Sequence, residues 1–595
     1  MQQLKSTFKD QPIVSKKSKP IPKGIPLYKP LFCVFPEARL PSGHMFPEGS
    51  RVTLHRHSIL STTFQRFLLL TLILFCSGKI FAQDAGNGGE ELLQRRPFTG
   101  SLSLTTEYRS IDQEESYRSS GGNLFGFASV EHQFSSGRIP VDVAFSTEDN
   151  SRGDSYLRFG VHPELLNGRL KLHAGDFYAE ASDLTVGNAS LFGVGGSLQG
   201  GKFRGGVWYG SVERPAFWND TLQEDTRRTL VGGKVGFGTD EGGFFDVTAS
   251  HVLDDAGSDE ENLMIGGNFF LPIIGQKLTV MGEGVVVAWS SDLAAEEVEA
   301  DIPFFTPRES SQFDGAASFA LYYAPSGGST IGFSSRWIGP GYVNLAQPYS
   351  QNDLFETMLT PSLTFFDGRI YTTGSLGIQW DNLRKTKEGR TTEIVGSLFT
   401  TIRPISSVSL SFSYNDFGAS SDHANDTVRY GYLSRSLSFA PTLYWNGFGG
   451  VQVGSVNASL QKGKTRNVGG DFTESSVCTV DLIWSLTLPS MFSLTSGLGY
   501  TATDVADYQT EMFSARETIS HVLLSGKLSG TLTFGVSHYQ AEGRTAFDLS
   551  GGVTYDLGYP GLLSLTFSNS VDNGFGSQTG TNRELYGALR YGLRI

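Results

Sequence analysis

The stretch Glu584-Leu-Tyr-Gly-Ala-Leu-Arg-Tyr-Gly-Leu-Arg-Ile595 separates into two sets when alternate residues are taken. Leu585, Gly587, Leu589, Tyr591, Leu593 and Ile595 form an apolar set; Tyr586, Ala588, Arg590, Gly592 and Arg594 are small, polar or basic. A period of two is the signature of a β-strand with one apolar face and one wet face. On this reading Arg590 and Arg594 face water while Leu585 to Ile595 face an apolar surround.

The same alternation runs back through most of the chain. Leu102, Leu104, Thr106 and Tyr108 alternate with Ser101, Ser103, Thr105 and Glu107. Val141, Val143 and Phe145 alternate with Asp142 and Ala144, and Leu170, Leu172 and Ala174 with Lys171 and His173. Asp142, Lys171 and His173 therefore join Arg590 and Arg594 on the wet face. The connections alternate in length. Short ones, such as Ser135-Ser-Gly137, Phe366-Asp-Gly-Arg369 and Arg403-Pro-Ile-Ser-Ser407, carry the Gly, Pro and Asp of tight turns. Long, polar ones fall at 110–120, 212–228, 291–313, 339–352, 417–426, 463–473 and 570–583. Short turns on one side and long loops on the other predict an all-β fold: a single large antiparallel up-and-down transmembrane β-barrel of about 26 strands. Both ends of such a barrel lie on the short-turn side. In lipid every backbone polar group must be paired, so only helices and closed sheets span, and these strands have the ~10-residue length that a tilted spanning strand needs. The register is hardest to read near 427–461.

Composition agrees. In 595 residues there are 72 Gly and 65 Phe plus Tyr, with 18% charged, which is too aromatic for a disordered chain. One apolar run, Phe67 to Phe75, follows Arg56 and Arg66 and precedes Ile80-Phe-Ala82. It is too short to span a membrane and reads as a signal peptide over 66–82 with cleavage after Ala82. Residues 1–65, rich in Lys and Pro, read as an unstructured leader or a mis-assigned start. Residues 83–98 read as a short periplasmic segment, and 99–595 as the barrel. Residues 1–82 hold 12 Lys+Arg and 3 Asp+Glu, so the remainder carries 35 positive and 57 negative groups, net −22. Nucleic acid is excluded as a partner on charge. Cys478 is the one cysteine after residue 82, so no internal disulfide forms.

The final strand, with this signal peptide and loop pattern, resembles the closing strand of bacterial outer-membrane β-barrel proteins of the porin-like kind. In that family the strand carries a signal read by the assembly machinery, for which Tyr591, Leu593 and Ile595 are the candidates here; Ile595 stands where the family usually has Phe or Trp. The resemblance implies location in the bacterial outer membrane and partnership with its lipids, periplasmic chaperones and the barrel-assembly machinery. TonB-dependent receptors are similar in size and final strand, but need an N-terminal plug and coupling box where this chain has about 16 residues. A fimbrial usher needs inserted plug and end domains, and a lipopolysaccharide-inserting barrel a jelly-roll domain and cysteine pairs; neither pattern is seen.

No catalytic or cofactor motif emerges. His132, His162, His173, His251, His423, His521 and His538 show no metal-ligand spacing, and no phosphate-binding loop, dinucleotide fingerprint or nucleophile elbow is present. The reading is of a non-enzyme without metal or cofactor. The acidic runs Asp254 to Glu261 and Glu296 to Asp301 lack the calcium-loop pattern and read as solvated outward loops. Arg152-Gly153-Asp154 resembles an integrin-binding tripeptide, too short a match to carry adhesion. Two stretches look shaped for a specific role. One is Gly175 to Gly193, joining two strands through the polar segment 178–189; the other is Trp337 to Asn352, rich in aromatics, Gly and Pro. The second is a candidate inward loop, with Trp337, Tyr342, Asn344, Tyr349 and Asn352 as candidate constriction residues. The expected function is a polar-lined channel or transport or export pore for an unidentified solute. The alternative is a membrane-anchored surface or adhesive protein acting through its outward loops.

Overall fold

In the computed structural model the described residues are 98–594, apart from 112–120, 147–155, 188, 213–227, 255–258, 301, 348–349, 426–428, 467–470, 507, 559–560 and 573–581. The leader, the signal peptide, residues 83–97, Arg152-Gly153-Asp154, Tyr349 and Ile595 lie outside them.

The described residues form one antiparallel sheet of 26 strands, from β1 (Phe98–Ile111) to β26 (Asn582–Arg594). The fourth strand is in two pieces, Tyr156–Val161 and Glu164–Leu165, broken at His162-Pro163. Each strand pairs with its neighbours in the chain, and the sheet closes where β1 meets β26, in register from Ser101↔Arg594 to Ile111↔Glu584. Closure leaves no open edge, so the ladder pairs its own backbone all round.

Turns on one side hold two to four residues; connections on the other reach 20, at 291–310. Several expected loops are trimmed because strands run on into them. The strand Val408–Ser421 takes up the first half of 417–426, and Gly450–Arg466 takes up the start of 463–473. The ambiguous region 427–461 resolves into Gly431–Gly447 and Gly450–Arg466, 17 residues each. Their turn is Phe448-Gly449, with φ of 49° and 77°. Two left-handed turn residues suit the twist of a two-residue hairpin; phenylalanine in place of the usual Asn or Asp hid the turn. The strand Thr391–Ile405 runs through Pro404, where the register shifts between Ile402 and Ile405. A bulge is where a sheet tolerates the missing N–H.

Parity along the strands separates two faces. Val207, Val286, Leu376 and Leu498, all more than half exposed, stand on the outside with most of the other exposed apolar side chains. The alternate positions turn inward. In β26 this puts Leu585 and Leu589 outside, exposed by 42% and 43%, and Tyr586, Ala588 and Arg590 inside. One long connection lies against the outer wall: Phe305 packs on Leu263 and Ala288, with Ile302 beside it.

Candidate functional site: a half-filled lumen

The inner wall has two regimes. Away from the region described next, inward side chains are mostly short and hydroxylic, and they pair across strands. Ser375 meets Ser397 at 2.7 Å, Ser413 meets Ser438 at 2.6 Å, Ser493 meets Ser520 at 2.6 Å, and Thr554 meets Ser564 at 3.1 Å. A hydroxyl that donates to its neighbour keeps lone pairs for water. Phe127, Phe399 and Ile483 interrupt this lining.

Ten consecutive strands are different: β5 (Leu170–Tyr178), β6 (Ser190–Gly200), β7 (Phe203–Ser211), β8 (Arg228–Thr239), β9 (Gly243–Asp254), β10 (Glu260–Ile273), β11 (Leu278–Ser290), β12 (Ser311–Ser326), β13 (Ser329–Ile338) and β14 (Leu354–Phe365). Each contributes an inward apolar residue to one buried cluster, among them Leu191, Trp208, Leu230, Met264, Val285 and Ile338. Two connections fold into the lumen and cover this wall. Leu184 and Val186 come from 179–189; Tyr342, Leu345 and Ala346 come from 339–353. The barrel therefore has a core inside its lumen, packed on one side.

Polar contacts fix the two loops to each other and to the wall. The Tyr342 hydroxyl donates to the Leu184 carbonyl at 2.5 Å, and Asn344 Nδ2 donates to the Thr185 carbonyl at 2.6 Å. Asn262 on β10, fully buried, donates to the Val343 carbonyl at 3.1 Å and accepts from the Leu345 N–H at 3.3 Å. Glu283 on β11 accepts the Leu184 N–H at 2.8 Å. Burial pushes the Tyr342 hydroxyl up to about 12, so it remains a neutral donor at physiological pH.

The segment 381–390 braces the second loop. Lys387 Nζ lies 2.6 Å from Asp353 and Arg384 lies 2.9 Å from Asp314, which also accepts the Gly341 N–H at 2.6 Å. Burial acts to raise the Asp353 carboxyl, but Lys387 and the N–H groups of Leu383 and Asn382 hold it below its usual range. A carboxyl depressed on folding stabilises above its unfolded value, and the contribution is lost as pH falls through the folded value. Docking of 339–353 is thus expected to hold at neutral pH and to loosen only below the ordinary carboxylate range. Limited proteolysis of 381–390 against pH should show this, and Asp353→Asn should flatten the profile. A wild-type profile that already changes between pH 5 and 7 would refute the assignment to Asp353.

Of the candidate constriction residues, Tyr342 and Asn344 sit in the loop–loop core. Asn352 is exposed at the end of the loop. Trp337 stands elsewhere: it is 39% exposed on the outer face of β13, opposite Phe355, because its odd position shares the parity of Ile331 and Phe333. Among the inward candidates, Arg590 donates to Ser103 at 3.1 Å and Lys171 pairs with Glu180 at 2.7 Å. His173 lies 3.1 Å from His162 and stacks on Phe177. Asp142 occupies an inward position opposite Ser129. The backbone of Arg594 pairs with Ser101. Tyr591 and Leu593 share the outward parity of Leu589. Asp254, from the first acidic run, is buried and paired with Arg228 at 3.1 Å, and Glu261 meets His251 at 2.8 Å. No cluster of three or more metal-ligating side chains occurs among the described residues.

The core inside the lumen was missed because its wall residues are scattered over ten strands. One local signal exists: Val285-Val-Val-Ala288 is apolar on both faces. An unbroken apolar run marks a strand covered on both sides.

A closed 26-stranded antiparallel barrel with an apolar exterior and a hydroxyl-rich interior defines the class: a transmembrane β-barrel of the outer-membrane type. No family model matches the chain, and no curated protein matches it. Among solved structures it is similar to the P pilus usher (PapC) translocation pore, at 11% identity and a TM-score of 0.40, over 84% of this chain and 99% of that one. It is also similar to Pseudomonas aeruginosa OccK3 (OpdO), at 10% identity and a TM-score of 0.30, over 84% of this chain and 96% of that one. Identities this low carry no residue roles across.

Proposed function

We propose that the protein is a channel of the outer membrane that passes small polar solutes along the unfilled side of its lumen. The observation that carries this reading is the arc of paired Ser and Thr side chains facing the loop-covered wall. Barrels of ~16–18 strands already enclose an aqueous channel, and diameter grows with strand number. The loops 179–189 and 339–353 narrow the lumen from one side. The net −22 of residues 83–595 favours cations over anions in transit. The apolar exterior supports outer-membrane lipid as the surround, with insertion by the barrel-assembly machinery after cleavage at Ala82.

The test is purified protein in planar bilayers, with its N-terminus sequenced. Stepwise, cation-preferring conductance from a chain beginning at Gln83 is expected. Absence of both conductance and solute uptake into vesicles would sink the channel reading; a chain beginning elsewhere would sink the cleavage assignment.

A further inference from the structure

Four tight turns on the short-turn side share one format: Leu165-Leu-Asn-Gly-Arg-Leu170, Ile273-Ile-Gly-Gln-Lys-Leu278, Phe365-Phe-Asp-Gly-Arg-Ile370 and Leu523-Leu-Ser-Gly-Lys-Leu528. They also share one geometry. The second residue of each, Leu166, Ile274, Phe366 or Leu524, is left-handed, with φ between 52° and 54°, and the next two residues are left-handed as well. The N–H of the fifth residue donates to the carbonyl of the second at 3.1 to 3.4 Å. Left-handed turn positions ordinarily take Gly, Asn or Asp. Here the first of them holds a large apolar side chain, more than half exposed in all four turns and 72% exposed in Phe366. In water that choice strains the backbone and leaves apolar surface wet. The apolar exterior runs up to each tip, because Leu165↔Leu170, Ile273↔Leu278, Phe365↔Ile370 and Leu523↔Leu528 are cross-strand pairs on the outer face. Beside each tip stands a cation, Arg169, Lys277, Arg369 or Lys527, exposed and, among the described residues, without an ion pair. Asp367 is the one acid within these turns. The turns follow the fourth, tenth, fourteenth and twenty-second strands, so they are spread around the ring and no single patch collects them.

We propose that these four turns bind the phospholipid surface around the barrel. Leu166, Ile274, Phe366 and Leu524 enter the boundary between acyl chains and headgroups in the leaflet on the short-turn side. Arg169, Lys277, Arg369 and Lys527 bind the phosphates of anionic headgroups there. The pairing suits that boundary, because a Lys or Arg lays its stem on apolar surface and keeps its charge among the headgroups. A membrane surrounds the barrel and meets all four turns at once, whereas a protein seated on one arc would meet one or two. In a chain of net −22, four unpaired cations beside apolar tips are the local exception that attraction to anionic lipid requires. The turn Asp240-Glu-Gly242 has neither an apolar tip nor a cation and provides the internal contrast. The inference rests on the membrane setting in the proposed function and not on conduction.

The experiment uses the mature barrel refolded into vesicles of phosphatidylcholine, alone or mixed with phosphatidylglycerol. In a Cys478→Ser background, a polarity-sensitive dye is attached through Phe366→Cys at a tip, Leu565→Cys on the outer face, or Glu241→Cys in the polar turn. Emission at 366 and 565 should be blue-shifted and quenched by nitroxide-bearing lipid, and emission at 241 should stay water-like. Spin-labelled phosphatidylglycerol should be enriched over phosphatidylcholine in the lipid shell by up to about fivefold at each cation. Replacing all four cations by Gln should abolish that preference, and Arg369→Gln alone should remove about a quarter of it if the sites are independent. Heat-modifiable gel mobility checks that each variant is folded. Water-like emission at 366 beside quenched emission at 565, or folded Gln variants that keep the full preference, would overturn the proposal. Water-like emission at 565 would defeat the membrane setting itself, and this inference with it. Absence of conductance with the lipid results as expected would defeat the channel alone.

Discussion

Arginine in place of Leu565 is expected to destabilise the folded barrel by about 2–4 kcal/mol, the cost of a cation on the lipid face near mid-membrane. Leu565 is 52% exposed on the outer face, in register with Val553 on one side and Leu589 on the other, both apolar and outward. A guanidinium there has no water and no acceptor except by bending toward the headgroups. Thr566, one residue along, points into the lumen opposite Gly552 and Ala588. Thr566→Arg should therefore leave stability almost unchanged and act on ion selectivity instead. The measurement is urea-induced unfolding from lipid vesicles, with both variants beside the wild type. The assignment of faces depends on parity alone, and it is wrong if Thr566→Arg costs as much as Leu565→Arg.

That parity is the part of the molecule most open to reading from the chain. Lipid on one face and water on the other force a strict two-residue period, and each strand states it locally. Loop lengths add the topology, since antiparallel closure of a barrel with β1 beside β26 follows from an even number of strands. Turn chemistry was a weaker guide: Phe448-Gly449 makes a tight turn without a turn-former at its first position, and Pro404 lies inside a strand because a bulge accepts it.

The interior core was legible only in fragments. Whether a polar-looking loop goes in or out depends on what it meets. Tyr342 meets a carbonyl 158 residues away, and Asn262 binds a carbonyl 81 residues away. The tract 337–352 held enough Gly, Pro and aromatic residues to mark it as a candidate inward loop, yet Trp337 belongs to the strand before it and faces outward. The loop 179–189 gave less warning, because its larger apolar residues, Leu184 and Val186, sit among small and polar neighbours. The pairing of Arg204 with Asp246 and of Lys171 with Glu180 carried no signal, because an inward cation in a spanning strand looks the same whether or not a carboxylate holds it.

Tyr342→Ala is expected to release the loop 339–353 from its seat and to raise conductance severalfold, with added current noise. The ring is 3% exposed, and removing a buried aromatic side chain typically costs about 3–5 kcal/mol. The Leu184 carbonyl also loses its donor, so the loss spreads to 179–189. Neither loop contributes to the strand ladder, so the barrel should still fold and keep its heat-modifiable mobility, with its unfolding midpoint lowered only by the lost loop packing. Tyr342→Phe separates packing from the hydrogen bond. It keeps the ring, forfeits one bond worth about 0.5–1.5 kcal/mol, and should conduct nearly as the wild type does. Asn344→Ala, which removes the contact to the Thr185 carbonyl, should fall between the two. The loops limit the current if conductance rises from the wild type through Phe and Asn344→Ala to Tyr342→Ala. A folded Tyr342→Ala barrel with wild-type conductance and noise would mean that solute passes where these loops exert no control, and the half-filled lumen would then be a structural core alone.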